Sequence, residues 1–128
     1  MRISFRRAAA IASIAMTACL HNQGAESDFV PRPDPIPIYV RNENFLDMNV
    51  FVVTSGISRR IGTVTGNAAA NFKIDWTVAN GQSITITATP IGGRGTASSG
   101  ALNVGIGQVI DFKIAAQLRQ SVASVHDP

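Results

Sequence analysis

From Ile84 to Thr89 the chain reads Ile-Thr-Ile-Thr-Ala-Thr, apolar and polar residues in strict alternation. Side chains of a strand point to opposite faces in turn, so a period of two buries one face and wets the other. The β-branched residues on both faces favour the extended backbone. The pattern recurs along the chain. Ile36, Ile38 and Val40 alternate with Pro37, Tyr39 and Arg41; Phe72, Ile74 and Trp76 alternate with Lys73, Asp75 and Thr77; Ile110, Phe112 and Ile114 alternate with Asp111 and Lys113. Met48–Thr54 is a nearly continuous apolar run, which predicts a central strand covered on both faces. Ile57–Val64 predicts another strand, with Arg59 and Arg60 on opposite faces and Gly62 at a bulge. Leu102–Val104 predicts a short one. Pro37 points to an edge position for the first strand.

Turn residues separate these runs at Asn42–Asp47, Ser55-Gly56, Gly66-Asn67, Asn80-Gly81 and Gly105–Gly107, and Ile91–Gly100 reads as a Gly/Ser-rich loop. No segment has helical periodicity. The expectation is an all-β fold: a single seven-stranded antiparallel β-sandwich over residues 36–118, similar to immunoglobulin-like or transthyretin-like domains. A small closed barrel is the alternative. Trp76 is the expected core tryptophan, although the paired cysteines of antibody domains are absent. Residues 119–128 read as a tail, with Ala115–Val125 short-helical or frayed and His126–Pro128 disordered.

The first 18 residues have a different character. Arg2, Arg6 and Arg7 precede an uncharged, mostly apolar run from Ala8 to Ala18. A basic start and a short apolar run form the pattern of a secretory signal, and the run is well short of the ~20 residues that span a bilayer. It ends Met16-Thr17-Ala18-Cys19, and Cys19 is the one cysteine of the chain. This stretch resembles the lipobox of bacterial lipoproteins, with Met16 in place of the usual leucine. The resemblance implies cleavage before Cys19, a diacylglycerol on its thiol and an acylated amino group. Leu20 rather than aspartate after the cysteine implies outer-membrane sorting. Each buried CH₂ of the acyl chains contributes about 0.8 kcal/mol, so such an anchor would be effectively permanent. Residues 19–35 read as the lipidated tether: polar at first, then Pro31, Pro33 and Pro35, which favour extended polyproline geometry.

The chain carries 11 basic and 8 acidic side chains. Three of the basic ones lie in the signal, so the processed chain is close to neutral. No basic cluster exceeds Arg59-Arg60, and the phosphate-neutralising stripe of a nucleic-acid binder is missing. With Cys19 acylated, no thiol is left for a disulfide or a metal.

Catalytic chemistry is poorly supplied. His21 lies beside the expected lipid and His126 near the end, so a Ser-His-Asp arrangement has no base and a zinc site no imidazoles. Asp75 and Asp111 read as mid-strand carboxylates ion-paired across strands with lysines. Glu43, Asp47 and Asn49 gather oxygens in one loop, a weak calcium pattern that fits turn chemistry better. The loop around Arg94 lacks the ending of a phosphate loop. Arg59, Arg60 and Arg94 are the candidate partner contacts.

The sequence therefore points to a non-enzymatic, lipid-anchored extracytoplasmic interaction module without a cofactor. It would sit in the bacterial cell envelope, at the periplasmic face or surface of the outer membrane, as an accessory or structural subunit docking on a membrane protein complex. A lipoprotein that binds a small ligand or carbohydrate is the alternative.

Overall fold

The computed structural model describes residues 32–128. The signal, Cys19 and the tether before Arg32 lie outside the described residues.

Among the described residues, eight strands form two four-stranded sheets. They are β1 (Ile36–Asn42), β2 (Met48–Thr54), β3 (Ile57–Val64), β4 (Ala69–Ile74), β5 (Ile84–Pro90), β6 (Ala97–Leu102), β7 (Val109–Ile114) and β8 (Val122–His126). One sheet runs in the order β4-β1-β7-β8, the other β3-β2-β5-β6. One helical turn, α1 (Trp76–Ala79), and a 3-10 turn at Leu118–Gln120 are the helical elements among the described residues. The fold is all-β.

The period of two does what it predicts. Ile36, Ile38 and Val40 of β1 and Ile110, Phe112 and Ile114 of β7 turn inward from one sheet. Met48, Val50 and Val52 of β2 and Ile84, Ile86 and Ala88 of β5 turn inward from the other. All twelve belong to a single hydrophobic core.

Several expectations need correction. The strands number eight rather than seven, because residues 122–126 pair with β7 in the register Val109↔His126 to Lys113↔Val122. The segment expected as a tail is thus an edge strand, and His126 lies within it. Its alternation, Ala123 and Val125 half-buried between exposed neighbours, is short and weakly apolar, which hides it in the sequence. The sheets are not purely antiparallel either, since β1 pairs in parallel with β7 from Ile38↔Ile110 to Asn42↔Ile114. That places β1 inside its sheet, not at the edge. Pro37 is accommodated because it precedes the first β7 partner, at the beginning of the strand.

Trp76 and Asp75 leave the strand pattern. Asp75 keeps an extended backbone, and the chain then turns through α1, so Asp75 lies at the helix start and not mid-strand. Trp76 is half-buried against the core. β6 begins at Ala97, inside the stretch read as loop. An edge strand that buries only Ala97 and Leu102 needs few apolar residues, so Ser98, Ser99 and Gly100 look like a linker. Where the β5–β6 register shifts between Thr85 and Thr87, the Ser99 hydroxyl accepts the Ile86 N–H at 2.8 Å. β2 lies centrally as expected, but its outward residues Phe51 and Val53 are half-buried, not fully covered. The bulge expected in β3 falls beside Gly62, between the pairs Val50↔Gly62 and Phe51↔Arg60.

Candidate interaction surfaces

The topology sorts the connections into two ends. At one end lie the start of β1, the Ser55-Gly56 turn, α1 and the β6–β7 connection. At the other lie four loops: 43–47, 65–68, 91–96 and 115–121. Backbone hydrogen bonds tie these loops together. Asn67 N–H donates to Asn44 O at 2.9 Å, Ile91 N–H to Asp47 O at 2.8 Å, and Glu43 N–H to Ile114 O at 2.8 Å.

Two buried asparagines organise this end. Asn42 continues the inward face of β1 at the position after Val40, so the strand's own periodicity delivers an amide into the interior. Its Nδ2 donates to Leu46 O at 2.8 Å and Thr65 O at 3.2 Å, and its Oδ1 accepts the Asn44 N–H at 3.0 Å. Asn44 in turn donates from Nδ2 to Ala116 O at 2.9 Å and accepts the Leu46 N–H. Both amides satisfy carbonyls that a tight loop cannot pair internally. Gly66 follows from the same closeness, since a Cβ there would collide with the Phe45 carbonyl.

Two of the three residues read as weak calcium ligands have other partners. Asn49 Oδ1 accepts from Arg60 Nε at 3.1 Å and Nη2 at 2.9 Å. A cation bound there would face a guanidinium. Asp47 Oδ1 accepts the Gly66 N–H at 2.9 Å, and Glu43 is exposed. The loop's Asn and Asp residues are turn chemistry.

The three candidate contact arginines do not form one site. Arg60 lies on the outer face of β3, held by Asn49 and Thr63. Arg59, on the opposite face, lines a cleft of about 280 Å³ with Ile57, Thr77 and Gln82, at the β1-start end. Arg94 belongs to the four-loop end. It lines a cleft of about 450 Å³ with Arg119, Leu118 and Thr96. Arg119 was missed by sequence reasoning because no local pattern links it to Arg94; only the folding back of β8 does. Exposed apolar side chains accompany them: Phe45 is 78% exposed and Ile91 48%.

Asp111 is paired, but with His126 and not with a lysine. His126 Nε2 lies 2.6 Å from Asp111 Oδ2, and Nδ1 2.7 Å from Asp127 O. The Asp127 carbonyl first, then the Asp111 carboxylate, raise the His126 pKa above the ordinary 6.5. A raised folded value means that the charged pair helps hold β8 below the unfolded pKa, and that this help is lost as pH rises through the folded value. An NMR titration should place the His126 midpoint above 6.5, and Asp111→Asn should lower it. An unchanged midpoint would remove Asp111 from the account.

No family model matches the chain, and no curated protein matches it significantly. Among solved structures it is similar to an NMR structure of a protein from Eubacterium rectale. The two are 14% identical over 73% of this chain and 90% of that chain, with a TM-score of 0.45. At that depth the likeness carries no argument.

Proposed function

We propose that the chain is a non-enzymatic interaction module, anchored outside the cytoplasm by lipid on Cys19, that presents its four-loop end to a protein partner at the membrane. The observation that supports this is the position of β1. The anchor would lead into Ile36, at the end of the fold opposite Phe45, Ile91, Arg94 and Arg119. Entry of the described chain at Ile36 leaves the four-loop end clear of the tether's point of attachment. Residues 19–35, if extended, would reach on the order of 50 Å at ~3.1 Å per residue. The exposed aromatic and the arginines are residue types enriched where proteins dock.

Of the two expected architectures, the transthyretin-like one is the better proposal. An immunoglobulin constant domain keeps its first, second, fourth and fifth strands in one sheet. Here β1 shares its sheet with β4, β7 and β8.

Two measurements test the reading. Cys19→Ala should move the protein from membranes to the soluble extracytoplasmic fraction; retention on membranes would refute the anchor. Pull-down from solubilised membranes with the lipidated protein should recover a reproducible partner, lost with Phe45→Asp at unchanged thermal stability. Recovery of the same partner by that variant would refute the loop end as the docking surface.

A further inference from the structure

The outer face of the β4-β1-β7-β8 sheet carries a groove of about 470 Å³, a size in the range of small-ligand sites. It is separate from the four-loop end, and nothing in it depends on the anchor. Its charge arrangement is unusual. Arg41 and Lys113 both line it, and they are register partners across the parallel β1–β7 pair. Strands lie about 4.8 Å apart, so the two stems rise side by side on one face. Like charges directly opposite each other destabilise a sheet.

No carboxylate among the described residues lies within salt-bridge distance of either. The ion pair found there joins His126 to Asp111, and it occupies the one carboxylate that lines the groove. Two cations thus stand together with no ion-pair partner, flanked in register by Ala69 and Val122, while Asn71, Asp111 and Ser124 share the row of Tyr39. Two positions before Arg41 on the same face, Tyr39 is 44% exposed in the groove. Its Cα lies two residues, about 7 Å, along the strand from that of Arg41.

We propose that this groove binds a small aromatic carboxylate, with the acid between Arg41 and Lys113 and the ring on Tyr39. The carboxylate would take paired hydrogen bonds from the guanidinium and relieve the repulsion between the two cations. The ring would cover an aromatic face now in water. A flat anion matches both halves of the groove; a neutral aromatic matches one, and an acidic peptide does not use Tyr39.

The test is an NMR titration of the full chain with 2-naphthoate, with uncharged 2-naphthamide, and with a hexaglutamate peptide. Naphthoate should shift the amides of Tyr39, Arg41, Lys113 and Ser124, and naphthamide should bind at least about tenfold more weakly, a loss expected when one charged contact is removed. The Arg41→Gln/Lys113→Gln double variant should lose naphthoate binding to a similar degree. Both residues are exposed, so the variant should keep its spectrum and its Tm, and these are checked first. Equal binding of naphthamide, unchanged naphthoate binding by the folded double variant, or no response to millimolar naphthoate would each overturn the proposal. Binding of hexaglutamate in preference to naphthoate would overturn it in favour of an acidic protein segment. None of these results bears on Cys19 or on the loop-end partner.

Discussion

Asn42→Ala is expected to destabilise the domain by about 2–4 kcal/mol, a large share of the ~5–15 kcal/mol that holds a domain of this size. Asn42 is 1% exposed, and its amide serves the Leu46 and Thr65 carbonyls and the Asn44 N–H. Removing it leaves these groups unpaired in a place water reaches poorly. Each group left so costs roughly 1–3 kcal/mol, reduced where the loop can relax. Urea denaturation at neutral pH measures the loss. Asn42→Leu separates packing from polarity. It restores volume but no hydrogen bond, so it should be nearly as unstable as the alanine variant. If leucine recovered wild-type stability, the amide would be filling space and the hydrogen-bond account would fail.

Phe112→Ala should cost about 3–5 kcal/mol, the range for deleting a fully buried aromatic side chain. Phe112 sits mid-strand in β7, 1% exposed, between Val40 of β1 and Ala123 of β8. A domain this size loses about 4–8 °C of Tm per kcal/mol, so the fall is on the order of 20 °C. Phe45→Ala is the matched control: the same deletion from a side chain 78% exposed should change stability by less than about 0.5 kcal/mol. Calorimetry of both variants tests the assignment of inside and outside. A comparable loss at Phe45 would mean that the loop end is covered.

The legible part of the fold is the part written in periodicity. Ile84–Thr89 and Ile110–Ile114 bury the residues their alternation marks, because a half-buried strand leaves that record in every second position. Elements with less to bury leave less. β6 and β8 are edge strands whose Ser, Gly and Ala residues satisfy a ladder without filling a core, so they read as loop and tail. Trp76 continues an alternation by chance of composition, but one helical turn intervenes, and local spacing over two residues does not distinguish the cases.

Sites were less legible than strands. Arg59, Arg60 and Arg94 are exposed, yet they fall on three separate surfaces, since neighbours in sequence diverge across a strand. The Arg41–Lys113 pair is invisible in the sequence because its two members meet through a parallel pairing. Asn42 looked like turn composition, whereas it is the internal support of the loop end.

The parallel contact between β1 and β7 also bears on how the molecule comes into being. The first of the described strands sits in the middle of its sheet, yet one of its two neighbours is the seventh of the eight. Closing so long a segment is entropically slow, and folds dominated by such distant pairings form in milliseconds to seconds, not microseconds. The β4-β1-β7-β8 sheet therefore cannot close until β7 has been made.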